Sequence, residues 1–179
     1  NVSREMLQNN PVVAKIKSAI IKRVISELKK KANKEPEDYA KFWDAFGAVL
    51  KEGIHEDFTN RDKILEVCRF KSSESEKLIS LDDYVSRMKD GQDKIYYVSG
   101  EDENKLSQSP HLEGFKAKGI EVIYMTDPID EYMLPSVGKF SDKDFQSITK
   151  GGADLDKIKS DKKSKDKKKD NKNIDKRIA

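Results

Sequence analysis

The apolar residues change their spacing part-way along the chain, and this change limits the possible folds more than any other feature. Between Pro11 and Cys68 they recur every three or four residues, the spacing of one face of a helix. From Ile95 onwards they form short β-branched and aromatic runs beside turn residues, which is typical of strands. The sequence therefore predicts an α/β protein whose helical part precedes its sheet.

Three helices are predicted before residue 71. The first begins at Pro11, the second begins at Pro36, and a short third helix follows Asn60 as its N-cap. Their apolar stripes, which we expect to form a core, are Val12, Val13, Ile16, Ala19, Ile20, Val24 and Leu28 in the first helix, Tyr39, Phe42, Trp43, Phe46, Val49 and Leu50 in the second, and Ile64, Leu65 and Cys68 in the third. Short connections between three such helices predict a helical coil over residues 11–70.

The second part, residues 71–152, is predicted to be a small α-β-α sandwich with a mainly parallel sheet. Residues 71–77 are polar and serine-rich and indicate a loop, and Ser80 with Asp83 forms a capping box for the helix that follows. Apolar runs at 95–98 and 122–125 flank a helix at 110–118 that Gly119 ends. This strand–helix–strand unit implies parallel strands. Another helix is expected after Asp127, and a last strand at 145–149.

The charge is divided unevenly along the chain. The net charge is +3, from 36 basic and 33 acidic residues, but 11 of the basic and only 5 of the acidic ones lie between 156 and 179. Residues 1–155 therefore carry 25 basic and 28 acidic residues, and no basic face for specific nucleic-acid binding is indicated. With almost no apolar residues, residues 153–179 are predicted to be a disordered, charged linker.

Several segments resemble the heat shock protein 90 family of chaperones, and in particular its bacterial branch. The segments are Asn1-Val2-Ser3-Arg4-Glu5-Met6-Leu7-Gln8, Ser80-Leu81-Asp82-Asp83-Tyr84-Val85-Ser86-Arg87-Met88-Lys89, Ser109-Pro110-His111-Leu112-Glu113 and the run from Lys118 to Glu131. They follow the order and spacing of that family. The resemblance implies a fragment of the middle domain in which residues 1–10 end a large α/β sandwich. The chain also lacks an initial Met, so we expect a piece of a longer protein.

The resemblance also implies a catalytic role for Arg4 and Gln8 in the full-length protein. Arg4 would reach the γ-phosphate of ATP, held with magnesium in an N-terminal domain that this fragment lacks, and Gln8 would support the nucleotide and its attacking water. A guanidinium suits this role because it is planar, always charged and able to bind two phosphate oxygens. The fragment alone is expected to bind no cofactor and to hydrolyse no ATP.

A client-binding role for Glu131, Tyr132 and Met133 is the second implication of the resemblance. Bacterial relatives have Trp at the position of Tyr132 and a polar residue at that of Pro135, so this chain departs from their pattern. From the residues alone, Tyr132 and Met133 could equally be core. The family implies unfolded client proteins, the protein's own N-terminal ATPase domain and a second copy in a homodimer as partners, in the cytoplasm and without a membrane segment.

Two other classes of function are open to a chain of this composition. The lysine-rich tail could make the chain a free-standing module that binds polyanions, in a manner that salt weakens. A small α/β enzyme could hold a ligand at the ends of its strands, near Ser99-Gly100 and Thr126-Asp127, but these loops offer only carboxylates. His55, His111 and Cys68 stand apart in the sequence, with no metal-ligand spacing, so we expect structural roles for them.

Overall fold

The fold is that of a computed structural model, which describes residues 10–150 together with Leu155 and Ile158. The three predicted helices are confirmed as α1 (Pro11–Lys34), α2 (Pro36–Glu56) and α3 (Arg61–Val67). Asn10 begins α1 by accepting the N–H of Val12, and a proline occupies the first position of both long helices. Asn60 precedes α3, but its side chain does not cap that helix as predicted; its amide donates to Asp57 Oδ2.

A six-stranded mixed sheet forms the centre of the second part. The elements are β1 (Phe70–Ser72), β2 (Ser75–Ile79), α4 (Leu81–Ser86), β3 (Lys94–Ser99), α5 (Glu103–Ser107), a 3-10 turn (Pro110–Leu112), α6 (Glu113–Lys118), β4 (Ile123–Met125), α7 (Asp130–Val137), β5 (Lys139–Phe140) and β6 (Lys143–Ser147). The strand order is β2-β1-β4-β3-β6-β5. Strands β3 and β4 are parallel, as predicted, and β6 is parallel to β3. The pairs β1 with β2, β1 with β4, and β5 with β6 are antiparallel, so the sheet is mixed and not mainly parallel as predicted.

The predicted loop at residues 71–77 is wrong, because this segment belongs to the hairpin of β1 and β2. Its serines and lysines carry no strand signal, and the strand pairing comes instead from a distant partner. Lys71 and Ser72 pair with Tyr124 and Ile123 of β4. The predicted helix at 110–118 is present but divided into the 3-10 turn and α6, and α5 was not predicted.

The sheet is covered on both faces, which confirms the α-β-α sandwich. Alternate residues of β3 point to opposite sides, so Ile95 packs in one apolar cluster and Tyr96 in another. The first cluster joins the sheet to α1, α2, α3, α4 and α7. The second contains Leu106, Leu112 and Phe115, and it also receives Ile158, which is 4% exposed. Leu155 and Ile158 thus pack on the sandwich, although they lie within the segment predicted to be a charged linker.

The predicted apolar stripe of α1 is largely not core. Its members Val12, Val13, Ile16, Ile20 and Val24 are between 38% and 63% exposed. The residues of α1 that pack against the other helices are instead Ile21, Ile25, Leu28 and Ala32. Because successive residues turn by about 100° around a helix, the two sets occupy adjacent faces. On α2, Phe46 and Val49 are likewise exposed, whereas Tyr39 and Trp43 are buried as expected.

Candidate functional site

The two residues predicted to act on ATP, Arg4 and Gln8, lie outside the described residues. Their roles therefore stay predictions. The remaining predicted site residues, Glu131, Tyr132 and Met133, lie in the first turn of α7. The sequence placed this helix correctly after Asp127 and Pro128, although it begins at Asp130.

The three residues of the predicted client-binding site face different environments. Glu131 is exposed and Tyr132 is 69% exposed, which is high for an aromatic side chain. Met133 is 1% exposed and packs in the first apolar cluster. The structure therefore brings Glu131 and Tyr132 to the surface, while Met133 holds the helix to the core.

Two clefts flank α7 and share Glu131 and Ser99. One has a volume of about 490 Å³ and is lined by side chains of α7 and of the strands β3 and β6, among them Tyr97, Leu134, Pro135 and Phe145. The other has a volume of about 200 Å³, lies at the carboxyl ends of β3 and β4, and is lined by Gly100, Glu101, Met125, Thr126, Asp127, Pro128 and Tyr132. Glu131 stands between them, so the exposed face of α7 continues into a concave surface on each side.

Carboxylates dominate the charge of these clefts. Glu101 and Asp127 line the smaller cleft, Glu131 lines both, and Lys150 lines the larger one. Apolar groups from Tyr132, Pro135 and the strands lie between the charges. Such a surface can hold an extended peptide with apolar and basic side chains, because the former fill the clefts and the latter pair with the carboxylates.

A buried lysine of the coil reaches the beginning of α7. The Nζ atom of Lys51 lies 2.5 Å from Asp127 Oδ2 and 2.8 Å from Asp130 Oδ1, and the Lys51 and Asp130 side chains are 4% and 1% exposed. Burial alone lowers the pKa of Lys51, but the neighbouring Asp130 and Asp127 outweigh it, so the pKa lies above its usual value. The pKa of Asp130 is raised, chiefly by its burial and also by the charge of Asp127, although Lys51 opposes the shift.

Lys51 was not predicted as a site residue, although the sequence contains a signal for it. The buried residues of α2 are Tyr39, Trp43, Gly47, Lys51 and Ile54, at steps of four, four, four and three. Lys51 thus lies in register with the buried face of the helix. A lysine at such a position needs a partner for its charge, and the partners are far away in sequence.

Other groups with chemical potential occupy structural positions. Cys68 is fully buried, and burial raises the pKa of its thiol to about 12, so it is no nucleophile in the folded chain. Within residues 10–150 no group of three His, Cys, Asp or Glu side chains could hold a metal ion. None of the described helices is both long and apolar enough to cross a bilayer.

Comparison with known proteins gives consistent matches over nearly the whole chain. The Hsp90 protein family model matches residues 1–178. The chaperone protein HtpG of Roseobacter denitrificans is 58% identical over 166 residues, which make up 93% of this chain and 27% of that protein. HtpG of Paramagnetospirillum magneticum is 54% identical over 170 residues, 95% of this chain and again 27% of the relative.

The fold has a solved relative as well. The middle domain of a Plasmodium falciparum putative heat shock protein superimposes with a TM-score of 0.73 at 32% identity, over 80% of this chain and 61% of that one. The chain spans about a quarter of the length of the HtpG proteins that it matches, at 27%. These matches agree in family and in region. The chain therefore belongs to the Hsp90 family and corresponds to part of the middle domain, with bacterial HtpG chaperones among its relatives.

Proposed function

We propose that this chain is the middle-domain segment of an ATP-dependent chaperone, in which Arg4 completes an ATPase site in another domain and the face of α7 contacts client proteins. The observation that carries this proposal is the family match over residues 1–178, which includes the segment from Asn1 to Gln8. In the full-length protein, ATP and magnesium are held by the N-terminal domain and a homodimer forms. We place that protein in the cytoplasm.

Arg4 is suited to stabilise charge on the γ-phosphate. Its guanidinium stays protonated at any physiological pH and offers parallel N–H donors to two phosphate oxygens. Phosphoryl transfer needs such a group because negative charge spreads over the equatorial oxygens of the transferred phosphoryl. Gln8 follows four residues later in sequence and supplies an amide that can orient the attacking water.

The ATPase proposal is tested by Arg4→Ala in the full-length protein. We expect the turnover number to fall at least about tenfold, because the missing charge acts in the transition state. Arg23→Ala serves as the matched control, since Arg23 is an exposed arginine of α1 that forms an ion pair with Glu27 of the same helix. Unchanged turnover in Arg4→Ala would reject the role of Arg4.

Client contact is proposed for Glu131 and Tyr132 together with the two clefts beside α7. The exposed ring of Tyr132 supplies apolar area with a polar tip, and Glu131 supplies charge between two concave surfaces. Met133 supports the face from below, because its side chain is in the core. An unfolded segment with basic and apolar residues fits this combination better than a folded acidic surface.

The client proposal is tested by binding of reduced and carboxamidomethylated lysozyme, a basic unfolded chain that cannot refold. We expect Tyr132→Ala and Glu131→Gln in the full-length protein to weaken binding by about fivefold or more, because each removes a contact in the centre of the face. Glu76→Gln is the control, since Glu76 is an exposed carboxylate on β2 at the edge of the sheet. Equal binding by all three variants would remove this face from client recognition.

A further inference from the structure

The helix α7 has little in its own composition to fix its direction, since it has only eight residues and contains Pro135. Proline has no N–H to donate to the preceding turn, and isolated helices shorter than about 12 residues are marginal in water. The residue before the helix, Ile129, makes no side-chain cap. Neighbouring elements must therefore set where Glu131 and Tyr132 point.

The helical coil holds α7 at both ends. At the beginning, Lys51 of α2 bridges Asp127 and Asp130. At the other end, Arg61 Nη1 donates to the carbonyl of Ser136 at 2.6 Å, and His55 Nδ1 lies 3.0 Å from the hydroxyl of the same serine. These contacts join residues that are far apart in sequence, so they transmit position between the coil and the sandwich.

The buried pair of Lys51 and Asp130 is the most enclosed of these contacts. Asp130 Oδ2 accepts the N–H of Asp127, whereas Oδ1 is buried without a hydrogen bond from the described residues and faces the Lys51 ammonium as an ion pair. The Lys51 Nζ atom also lies 5.2 Å from the Phe70 ring centroid and 5.9 Å from that of Trp43. The ammonium is thus fixed on several sides and cannot move without leaving a carboxylate unpaired.

A buried ion pair adds little net stability over well-packed apolar residues, so its presence calls for another reason. We propose that Lys51 is a positioning residue, which sets the direction of the Glu131–Tyr132 face by clamping the beginning of α7 to the coil. Because the Lys51 ammonium pairs with Asp127 and Asp130, a movement of α2 would shift the beginning of α7 and, with it, the Glu131–Tyr132 face. The clamp follows from the contacts alone, whereas its effect on clients rests on the proposed client contact.

The test removes the charges while keeping the volume. Lys51→Met combined with Asp130→Asn leaves no uncompensated buried charge, and Asp127 is 42% exposed at its side chain and can be hydrated. We expect this double variant to unfold near the wild-type denaturant concentration. Lys41→Met is the matched control, because Lys41 lies on the same helix with 79% of its side chain exposed.

Two readouts separate positioning from stability. In wild type the Met133 N–H donates to the carbonyl of Ile129 at 2.8 Å, and we expect its hydrogen exchange to be at least about tenfold faster in the double variant. Exchange at Val98 in β3 stays unchanged. In the full-length protein, we expect binding of carboxamidomethylated lysozyme to weaken about fivefold. Should the double variant fail to fold, Asp127→Asn alone is expected to accelerate Met133 exchange about threefold.

If a folded variant exchanges the Met133 amide hydrogen at the wild-type rate, the proposed clamping of α7 by Lys51 is overturned. An equal rise in exchange at Met133 and Val98 also overturns it, because the effect is then global. If Met133 exchange rises and Tyr132→Ala leaves binding of carboxamidomethylated lysozyme intact, the client proposal fails and the clamp stands. The outcomes of the two proposals are therefore distinguishable.

Discussion

Tyr84 is the centre of a buried hydrogen-bond network, and Tyr84→Phe tests what that network contributes. The Tyr84 hydroxyl donates to the carbonyl of Glu121 at 2.9 Å and accepts from the N–H of Tyr96 at 2.9 Å and from the amide of Gln92 at 3.0 Å. Strand β4 pairs with β3 only from Tyr97 onwards. The Tyr84 hydroxyl therefore accepts the backbone N–H of Tyr96 at a position where β4 does not pair with β3.

The magnitude follows from the groups that lose this partner. Phe keeps the ring packing but removes the acceptor of the Tyr96 N–H and the donor to the Glu121 carbonyl, in a place where Tyr84 is 1% exposed. Gln92 still donates to the carbonyl of Lys94 at 2.9 Å. Each buried polar group left without its bond costs about 1–3 kcal/mol, so for two groups we expect the free energy of unfolding to fall by roughly 2–6 kcal/mol.

Urea denaturation followed by circular dichroism measures this change, with an unaltered slope showing that the unfolded state is the same. Tyr97→Phe is the control, because the Tyr97 hydroxyl makes no hydrogen bond among the described residues. We expect the free energy of unfolding of Tyr97→Phe to lie within about 0.5 kcal/mol of the wild-type value. A loss below about 0.5 kcal/mol in Tyr84→Phe as well would refute the reasoning, since the network would then be dispensable.

Three further predictions concern the surface, a helix cap and the thiol. Replacing both Ile16 and Ile20 by Lys should leave the free energy of unfolding within about 0.5 kcal/mol of wild type, because both side chains are exposed, and should reduce binding of a hydrophobic dye. A loss of stability above about 1 kcal/mol would mean that these two side chains are packed. Burial raises the pKa of Asp83, but hydrogen bonds from Ser80 and the charges of Arg87 and Arg69 together outweigh it. The pKa is therefore lowered, and the stability that the carboxylate adds is lost as the pH falls. The free energy of unfolding of wild type should therefore exceed that of Asp83→Asn by about 1 kcal/mol at neutral pH. In denaturant titrations this difference should begin to shrink as the pH falls to about 4 and should vanish only below the lowered pKa of Asp83; a constant difference contradicts this. Iodoacetamide should modify Cys68 at about pH 8 far more slowly in the folded chain than in urea, and equal rates would show that the thiol is accessible.

Sequence signals that act between neighbouring residues correctly predicted where helices begin and end. The capping box of Ser80 and Asp83 is formed as predicted, and Gly119 ends α6 with a φ of +66°, a conformation that costs glycine nothing. Proline at the first position of α1 and α2 also marks true helix starts. Such signals act within one turn of the chain, so no knowledge of distant residues is needed.

Signals that depend on a partner were less reliable. The periodicity of α1 correctly predicted a helix, but the face with the stronger aliphatic stripe is exposed, because α2 and α3 lie against the face of Ile25. The strand β1 was missed since its pairing comes from β4, about 50 residues later. In both cases the missing information was the identity of the neighbouring element, which the apolar pattern of a single segment does not contain.

The sequence by itself determined most of the helices, the parallel pairing of β3 with β4, the family and the position of α7, because periodicity, caps and motifs are properties of neighbouring residues. Only the tertiary structure decided that Met133 is core while Tyr132 is exposed, and that Lys51 is buried between Asp127 and Asp130. The reason is that burial of a charge depends on partners brought together by folding, and here they are 76 or more positions apart. The register of α2 indicates that Lys51 lies on its buried face, but only the folded chain shows which carboxylates pair with it.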